Sequence, residues 1–333
     1  MKYGSILGLD KKISRIIFGT SAIESQTGLK YKLDSSNKRE IFKLLDLAFL
    51  NGYNAFDTSP LYMLGESEKI LGEWIRINGI RSKVIIITKG GHPSFILGKS
   101  DLNCQRIERD IKESLSRLDT DYIDIYMLHR DNLRVPVKYI LEILNPYVLS
   151  NKIHLIGASN WNSSRIEESN KYAKKYNLKP FVISSPHFSL FEWITPPWKG
   201  TLSIAGEKGR IERKWYATNK FPIFAWSPLG NNFISLKSPL SSRVPFFSLK
   251  KNSYISSSNV ERLHRAQTVA DRKDKLLTQI LLAYIINQSF YYYPIVRSTK
   301  EDNIRQNMKA CYIDLTLEEL DWLNLSSDKN PYI

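Results

Sequence analysis

The sequence predicts a closed (β/α)8 barrel, the TIM-barrel architecture of the α/β class, on three observations. With an N-terminal hairpin set aside, short apolar segments typical of strands alternate with amphipathic helical segments eight times over 333 residues. The Gly-x-Gly-x-x-Gly pattern typical of the competing doubly wound nucleotide-binding sheet is absent. Polar side chains follow several predicted strands, where a barrel would bring them to one face.

The chain is predicted to begin with a β-hairpin and to continue with the barrel strands. Residues 2–9 and 13–18 are short strands around a turn at Asp10-Lys11, and we expect this hairpin to plug the bottom of the barrel. The strands that follow are short and rich in β-branched or aromatic residues. They are predicted over residues 53–56, 84–88, 122–128, 153–156, 181–183, 221–226 and 291–296.

Helices are predicted where apolar residues recur every three or four positions. In residues 104–118, for example, Ile107, Ile111, Leu115 and Leu118 fall on one helical face. The other helices are predicted over residues 34–51, 66–77, 137–149, 163–176, 208–218, 276–287, 301–309 and 317–325.

Two segments are too long for simple connections. Residues 188–208 contain Trp193 and Trp198 around a Pro-Pro pair, and residues 231–275 are rich in serine and basic residues. Long loops in a compact domain are often functional, and both follow strands. We therefore expect both loops over the C-terminal face of a single barrel domain, residues 1–333, because active sites of this fold lie there.

The composition indicates a globular protein, with 42% hydrophobic and 24% charged residues. The longest apolar stretch, residues 276–286, is too short to span a bilayer, and the N-terminus lacks a signal-peptide core. We therefore expect a cytoplasmic protein that does not enter a membrane. Cys104 and Cys311 are far apart and have no metal-ligand spacing, which predicts reduced thiols and no metal site.

The net charge of +15 favours anionic partners such as phosphates, nucleotides or nucleic acid. The lysines are spread along the whole chain, however, with no block of five or six like charges. A basic surface without a macromolecular partner explains this charge at least as well as nucleic-acid binding does, and we expect no nucleic acid.

The residues of greatest chemical interest end consecutive predicted strands. Residues 84–87 are β-branched, which predicts a strand buried on both faces, and this strand delivers Lys89 to its C-terminal end. Asp57 and His129 end the neighbouring strands, and Tyr62 lies five residues after Asp57. Each has a plain alternative: a helix cap, a loop aromatic, a lysine that escapes to solvent and a core histidine. All four together at one barrel mouth favour a catalytic site.

These four groups together suit the reduction of a carbonyl. A phenol has a pKa of about 10, and a nearby ammonium should lower the pKa of Tyr62 enough for it to act as an acid. Asp57 would hold Lys89 charged and in place, and His129 would hydrogen-bond the carbonyl oxygen. The set contains no source of electrons, so a nicotinamide cofactor would supply hydride.

Motifs over nearly the whole chain resemble the aldo-keto reductase superfamily. Most are weak alone, but their order and spacing are specific. They are Phe18-Gly19-Thr20, Phe56-Asp57-Thr58-Ser59-Pro60-Leu61-Tyr62, Gly65-Glu66-Ser67-Glu68, Ile87-Thr88-Lys89, Asp121-Tyr122-Ile123-Asp124 with Leu128-His129, Ile156-Gly157-Ala158-Ser159-Asn160, Trp226-Ser227-Pro228-Leu229-Gly230 and Ile295-Val296-Arg297-Ser298-Thr299-Lys300.

The resemblance implies a catalytic tetrad of Asp57, Tyr62, Lys89 and His129, with Tyr62 as the general acid. It also implies a cofactor site. Its residues would be Ser159 and Asn160 at the carboxamide, Trp226 at the stacking position, Ser227, Leu229 and Gly230 along the pyrophosphate, Arg297, Ser298 and Thr299 at the 2′-phosphate, and Asn307 at the adenine, with Gly19, Thr20, Ser185 and Asn303 in the same set.

This chain departs from the family pattern at two cofactor positions. Ser184-Ser185 stands where members often have Asn-Gln, so Ser185 offers a shorter contact. Asn303 stands where many NADPH-preferring members have arginine, although Arg297 and Lys300 keep the site basic. We expect NADPH as the cofactor, with NADH as the alternative.

The resemblance therefore predicts an NADP-dependent reductase of an aldehyde or ketone, a small-molecule carbonyl. A basic mouth suggests a sugar or nucleotide-sugar substrate, with Trp193 and Trp198 either stacking on its ring or packing within their loop. The Pro-Pro-Trp loop and the Ala225-Trp226-Ser227 turn are similar to a bacterial branch that does not define a substrate. The alternative function is a cofactor-binding, redox-sensing or regulatory subunit with little turnover. Nothing in the sequence indicates an oligomeric state.

Overall fold

The structure of the protein, a computed structural model, describes residues 1–21, 35–92, 102–231, 233–235, 253–288 and 291–333. A two-stranded antiparallel hairpin comes first: β1 is Tyr3–Gly4 and β2 is Ile13–Ser14. The strands of the barrel are β3 Ile17–Gly19, β4 Ala55–Asp57, β5 Ile85–Gly90, β6 Ile123–Leu128, β7 Ile153–Ser159, β8 Phe181–Ser185, β9 Ile223–Ala225 and β10 Tyr292–Val296.

These eight strands close on themselves in the order β10-β3-β4-β5-β6-β7-β8-β9, and every neighbouring pair is parallel. Helices lie between the strands along the chain. The predicted (β/α)8 barrel with an N-terminal hairpin is therefore confirmed.

The division between hairpin and barrel was wrong in one respect. Residues 13–18 were assigned wholly to the hairpin, so the predicted strand ranges supplied only seven strands for the eight strand–helix repeats. The structure divides this segment, because Ser14 pairs back onto Tyr3 whereas Phe18 pairs with Phe56 and Val296. The eighth barrel strand is thus β3, and it follows the hairpin after two residues.

Ten α-helices occur in the described residues, and most agree with the predicted ranges to within two residues. They are α1 Ser35–Leu50, α2 Glu66–Asn78, α3 Cys104–Arg117, α4 Val137–Leu149, α5 Ser163–Lys175, α6 Arg210–Thr218, α7 Ser257–Lys273, α8 Leu277–Ile286, α9 Glu301–Lys309 and α10 Leu317–Leu323.

The second long loop, residues 231–275, was predicted without regular structure, and this was wrong for its C-terminal part. Helix α7 occupies Ser257–Lys273 and begins at Ser256, whose side chain accepts a hydrogen bond from the Asn259 N–H. A serine cap before apolar residues at helical spacing was the signal in the sequence. Residues 236–252 of the loop lie outside the described residues.

The core has two parts, one inside the barrel and one between strands and helices. Alternate strand residues such as Ile85, Ile87 and Ile125 are fully buried inside the barrel, as the two-residue period of a strand requires. Ile6 and Ile13 of the hairpin belong to the same interior cluster. The hairpin therefore closes one end of the barrel with apolar side chains.

Cys104 is exposed, Cys311 is buried, and both are free thiols. Within the described ranges, no helix is long and apolar enough to cross a membrane.

Candidate active site

Three adjacent strands bring the predicted acid–base groups to one end of the barrel. β4 ends at Asp57, and β5 carries Lys89 at its penultimate position. His129 follows β6, and its backbone N–H donates to the carbonyl of Gly90 at 2.8 Å. Because β4, β5 and β6 are neighbours in a parallel sheet, their C-terminal residues meet at one edge.

Lys89 lies at the centre of the contacts. Its Nζ donates to Asp57 Oδ1 at 2.6 Å and to the backbone oxygen of Thr58 at 2.9 Å. The same Nζ lies 3.5 Å from the Tyr62 hydroxyl oxygen. Asp57 and Lys89 are both buried, so the structure brings Asp57, Tyr62 and Lys89 together in a site with little solvent.

A tight turn after β4 places Tyr62. Tyr62 begins a 3-10 turn that runs to Gly65, and its N–H donates to the Ser59 carbonyl at 3.0 Å. Met63 and Leu64 adopt left-handed backbone angles, with φ of 51° and 53°. Apolar L-residues seldom adopt this conformation, and such strain collects at functional sites.

The pair of Lys89 and Asp57 keeps the ammonium protonated. Burial lowers the pKa of Lys89, but Asp57 and Tyr62 outweigh burial, and the pKa ends above its ordinary value. Burial raises the pKa of Asp57, and Lys89 opposes that rise. The pKa of Lys89 is raised because the oxygens of Asp57 and Tyr62 favour the charged ammonium, so Lys89 stays protonated at neutral pH.

The expected decrease in the pKa of Tyr62 is not what the structure shows. Burial raises the pKa of Tyr62, and the ammonium of Lys89 and the guanidinium of Arg130 lower it by less than burial raises it. The net pKa stays above the ordinary value of a phenol. Tyr62 is therefore fully protonated at neutral pH, the form that a proton donor requires.

His129 is buried and electrically neutral. Burial lowers its pKa well below the usual range, and the charges of Lys89 and Arg130 and the nearby His92 add to this. The His92 ring lies 4.9 Å away in an edge-on orientation. The Nδ1 of His129 is buried and makes no hydrogen bond with any described residue. A neutral imidazole with unused capacity can hydrogen-bond a ligand in the site.

A buried polar network supports these strand ends. It includes residues of the Gly65-Glu66-Ser67-Glu68 motif, for which no role was predicted from the sequence. Ser67 Oγ donates to Thr20 Oγ1 at 2.7 Å. The Glu68 carboxylate accepts from Thr88 Oγ1 and from Arg117 Nε, each at 2.6 Å. Helix α2 is thereby tied to the ends of β3 and β5, next to the acid–base groups.

Of the two predicted cofactor residues at the end of β3, Thr20 is engaged internally. Its N–H and its hydroxyl both donate to the carbonyl of Asp57, at 2.8 and 3.0 Å. A Cβ at Gly19 would lie 3.1 Å from the Ile295 side chain, a contact tighter than usual. Both residues close the seam between β3, β4 and β10.

Ser159, Asn160 and Ser185 form a chain of hydrogen bonds across neighbouring strand ends. Ser159 Oγ donates to the Ser185 carbonyl at 2.9 Å, and Asn160 Nδ2 donates to Ser159 Oγ at 2.9 Å and to the His129 carbonyl at 3.3 Å. Ser185 Oγ donates to the Phe224 carbonyl at 2.9 Å. The chain places the Asn160 amide beside His129.

The remaining predicted cofactor residues follow β9 and β10, which are neighbours in the barrel. They are Trp226, Ser227, Leu229 and Gly230 after β9, Arg297, Ser298 and Thr299 after β10, and Asn303 and Asn307 on α9. Asn303 is exposed, whereas Asn307 is buried one turn later.

These residues suit a dinucleotide. Trp226 Nε1 is buried and has no hydrogen-bond partner in the described ranges, which leaves a donor at the aromatic end. Arg297 and Lys300 are exposed just before α9 begins, where a helix N-terminus also favours anions. An aromatic ring at one end and cations at the other match a nicotinamide and a phosphate.

Sequence reasoning missed His187, which joins the first long loop to the end of β9. Its Nδ1 lies 2.8 Å from Ser203 Oγ, and its Nε2 lies 2.9 Å from the Tyr254 hydroxyl. The Trp193 ring stacks on the His187 ring with 4.2 Å between ring centroids, and the Trp226 ring packs against it with 5.2 Å between centroids. A lone histidine two residues after a strand carried no signal for this contact set.

Trp193 is thus occupied by packing, whereas Trp198 is 55% exposed. The Trp198 ring lies 5.9 Å from that of Trp226. Sequence reasoning also missed Arg130, a buried cation next to His129.

Fold and site together define an α/β-barrel protein with a buried lysine, carboxylate and imidazole and a partly buried phenol at the C-terminal end of its strands. The family model described as the Aldo/keto reductase family matches residues 15–325, and the chain belongs to that family. Its members are oxidoreductases that use a nicotinamide cofactor.

Individual relatives are distant but span the whole chain. The uncharacterized oxidoreductase YrpG of Bacillus subtilis (strain 168) is 26% identical, over 97% of this chain and 95% of its own length. Versiconal hemiacetal acetate reductase of Aspergillus parasiticus is 25% identical, over 100% of this chain and 97% of its own. A glycerol dehydrogenase structure from Gluconobacter oxydans has a TM-score of 0.78 at 19% identity, covering 99% of this chain and 97% of that one, and shows a shared fold.

Proposed function

We propose that this protein is an NADPH-dependent reductase of a small-molecule aldehyde or ketone, with Tyr62 as the general acid. The observation that carries the proposal is the position of Lys89 Nζ, 2.6 Å from Asp57 Oδ1 and 3.5 Å from the Tyr62 hydroxyl. Asp57 and Lys89 are buried, Tyr62 is partly buried, and the buried, neutral His129 ends the neighbouring strand.

Each residue then has one task. Tyr62 donates its proton to the carbonyl oxygen, and the Lys89 ammonium stabilises the phenolate that remains. Asp57 holds Lys89 in place, and His129 orients the carbonyl by a hydrogen bond from its neutral ring. A bound nicotinamide cofactor supplies the hydride for the carbonyl carbon.

The proposed cofactor site runs from the end of β7 to α9. Ser159 and Asn160 would bind the carboxamide, and Trp226 would stack on the ring. The phosphate end is formed by exposed Arg297 and Lys300 beside the N-terminus of α9, and two cations at this point favour NADPH over NADH.

The substrate pocket lies next to Trp198 and Trp226, whose rings are 5.9 Å apart. The exposed indole of Trp198 suits the apolar face of a sugar, and the net charge of +15 suits phosphates. A sugar or nucleotide-sugar carbonyl is therefore the proposed substrate.

Titrating the purified protein with NADPH and with NADH tests the cofactor assignment. We expect NADPH to change the tryptophan fluorescence and to raise the Tm, and we expect Arg297→Met to weaken NADPH binding about tenfold while NADH binding is unchanged. Arg305→Met, an exposed arginine on α9, serves as the control. No response to either nucleotide would refute the cofactor assignment.

A screen of NADPH oxidation against sugar aldehydes, ketoses and keto-sugar nucleotides tests the reaction. Turnover of any member supports an enzyme. Tight NADPH binding without turnover of any carbonyl would instead favour a regulatory, cofactor-binding subunit of the same fold.

A further inference from the structure

Among the residues that the structure describes, no carboxylate pairs with Arg130, a buried cation. It follows His129 directly after β6, and only 9% of its surface is exposed. Its Nη1 donates to the His129 carbonyl at 2.8 Å, and this is the one hydrogen bond it makes in the described part of the chain. The adjacent Asp131 does not neutralise it, because Asp131 pairs with Arg165 Nε at 3.4 Å.

The guanidinium lies at the proposed reaction centre. The His129 carbonyl that accepts from Arg130 also accepts from Asn160 Nδ2, which puts the guanidinium beside the Asn160 amide. Burial lowers the pKa of Arg130 to about 10, and Tyr62 acts against that decrease. Arg130 is therefore still charged at neutral pH and close enough to Tyr62 to interact with it.

A buried guanidinium is costly to desolvate, and buried charges in proteins are normally paired, so an anionic ligand would offset the cost that Arg130 carries here. Its planar fork of N–H donors matches a carboxylate or a phosphate with two parallel hydrogen bonds. Two of the three guanidinium nitrogens of Arg130, Nε and Nη2, remain without a hydrogen bond to the described residues.

An anion bound at Arg130 would belong to the substrate and not to the cofactor. In the closed barrel β6 is three strands from β9 and four from β10. The residues proposed to bind cofactor phosphates follow β9 and β10, across the barrel mouth from Arg130. The side of the site next to Arg130 is therefore left for the substrate.

We propose that Arg130 is a substrate-specificity residue that binds an anionic group, a carboxylate or a phosphate, on the carbonyl substrate. The identity of the reacting carbonyl rests on the proposed function. The anion site itself rests on the contacts and burial of Arg130.

Matched pairs of aldehydes test the proposal. Benzaldehyde against 4-carboxybenzaldehyde tests a carboxylate, and glyceraldehyde against glyceraldehyde 3-phosphate tests a phosphate. We expect the anionic member of at least one pair to have the higher kcat/KM. In Arg130→Met the ratio of anionic to neutral kcat/KM should fall at least tenfold, mainly through KM, and Arg130→Lys should give an intermediate ratio. The pair that responds identifies the anion.

Arg134→Met is the matched control, because Arg134 is an exposed arginine in the same loop. We expect it to leave the ratio as in the unmodified protein. Equal ratios in the unmodified protein and Arg130→Met would overturn the proposal. An equal loss of selectivity in Arg134→Met would also overturn it, since that result would reflect general surface charge.

A binding measurement separates this proposal from the proposed function. If no aldehyde is reduced, carbonyl reduction is wrong, but protection from thermal unfolding by benzoate or by inorganic phosphate, and not by benzamide, still reports the anion site. Loss of that protection in Arg130→Met supports the proposal. No protection of the unmodified protein, or equal protection of both proteins, overturns it.

Discussion

At the scale of single residues, the proposed chemistry depends on a lysine that stays charged while buried. Lys89 has Asp57 at 2.6 Å and the Thr58 carbonyl at 2.9 Å, and these oxygens replace the water that burial removes. Tyr62 remains protonated because burial outweighs its cationic neighbours. Two substitutions separate these roles.

Tyr62→Phe should abolish turnover while NADPH affinity survives. The change removes only the hydroxyl, so the general acid is lost and the ring that packs in the site is kept. We expect kcat to fall by about 10²–10⁴, the usual size of a general-acid contribution. Tyr139→Phe, at a half-exposed tyrosine on α4, should change nothing. Full activity in Tyr62→Phe would show that the acid is another group.

Lys89→Met should keep the fold and cofactor binding but lose most of the turnover. Removal of the ammonium leaves Asp57 buried without its partner, which costs up to about 3–5 kcal/mol unless Asp57 takes up a proton. Urea unfolding and NADPH titration check the two parts. The double variant Lys89→Met/Asp57→Asn should recover stability without recovering turnover. Recovered turnover would exclude the proposed role of the ammonium.

At the scale of elements, His187 links the first long loop to β9 and to the segment before α7. It contacts Ser203 and Tyr254 through its two ring nitrogens and stacks on Trp193. Complete burial lowers its pKa to about 3. A histidine held neutral in this way makes the packing of the loop sensitive to acid.

The His187 contribution to stability should be lost as the pH falls below about 6.5. The folded pKa of about 3 lies below the unfolded value, so the unfolded chain binds the extra proton and stability declines between those two pH values. At pH 5 the loss is about 2 kcal/mol. Between pH 7.5 and pH 5, the free energy of unfolding in urea should fall by about 2 kcal/mol less in His187→Gln than in the unmodified protein. Equal losses would mean that His187 titrates normally.

Gly72 marks a contact between α2 and the end of α3. A Cβ at this position would lie 2.3 Å from the carbonyl oxygen of Leu118, a backbone atom with little freedom to move. Gly72→Ala should therefore destabilise the protein by about 1–3 kcal/mol, although helix propensity alone predicts a gain of about 1 kcal/mol. The free energy of unfolding in urea, compared between Gly72→Ala and the unmodified protein, shows whether the substitution stabilises or destabilises the fold. Lys69→Ala, on the exposed face of the same helix, should have little effect.

At the scale of the whole molecule, one carboxylate ties the hairpin to the barrel. Asp124 is fully buried at the start of β6, and its oxygens pair with Lys11 Nζ at 2.5 Å and with Arg81 Nη1 at 2.9 Å. Its Oδ2 also accepts from the Ile86 N–H at 2.9 Å. The hairpin turn, β5 and β6 therefore share a single anion.

Asp124→Ala should loosen the closed end of the barrel. The buried Ile86 N–H loses its acceptor, while the partly exposed Lys11 and Arg81 regain water, so we expect a loss of about 2–4 kcal/mol. Hydrogen exchange should quicken at β2 and β5. Glu207→Ala removes an exposed pair with Arg210 and should leave stability nearly unchanged. Unchanged exchange at β2 would show that apolar packing alone holds the hairpin.

The fold was predictable because its signals are local. The range of α4, Val137–Leu149, follows from its helical spacing, and the same spacing predicts α9. The strand ends predicted Asp57, Lys89 and His129 as neighbours, because parallel strands with short connections place their C-terminal ends together. The split between β2 and β3 was not predictable, since a six-residue segment, residues 13–18, does not show by itself where its pairing partner changes.

The sequence by itself determined the barrel, the family resemblance and the four groups at the mouth, because periodicity, strand order and motif spacing are properties of the chain. The tertiary structure alone decided the net pKa of Tyr62, the crowding at Gly72 and, in the described part of the chain, the lack of a carboxylate beside Arg130. These depend on burial and on atoms distant in the chain. Desolvation and close packing arise only when the strands and helices surround a side chain, and no linear pattern records them.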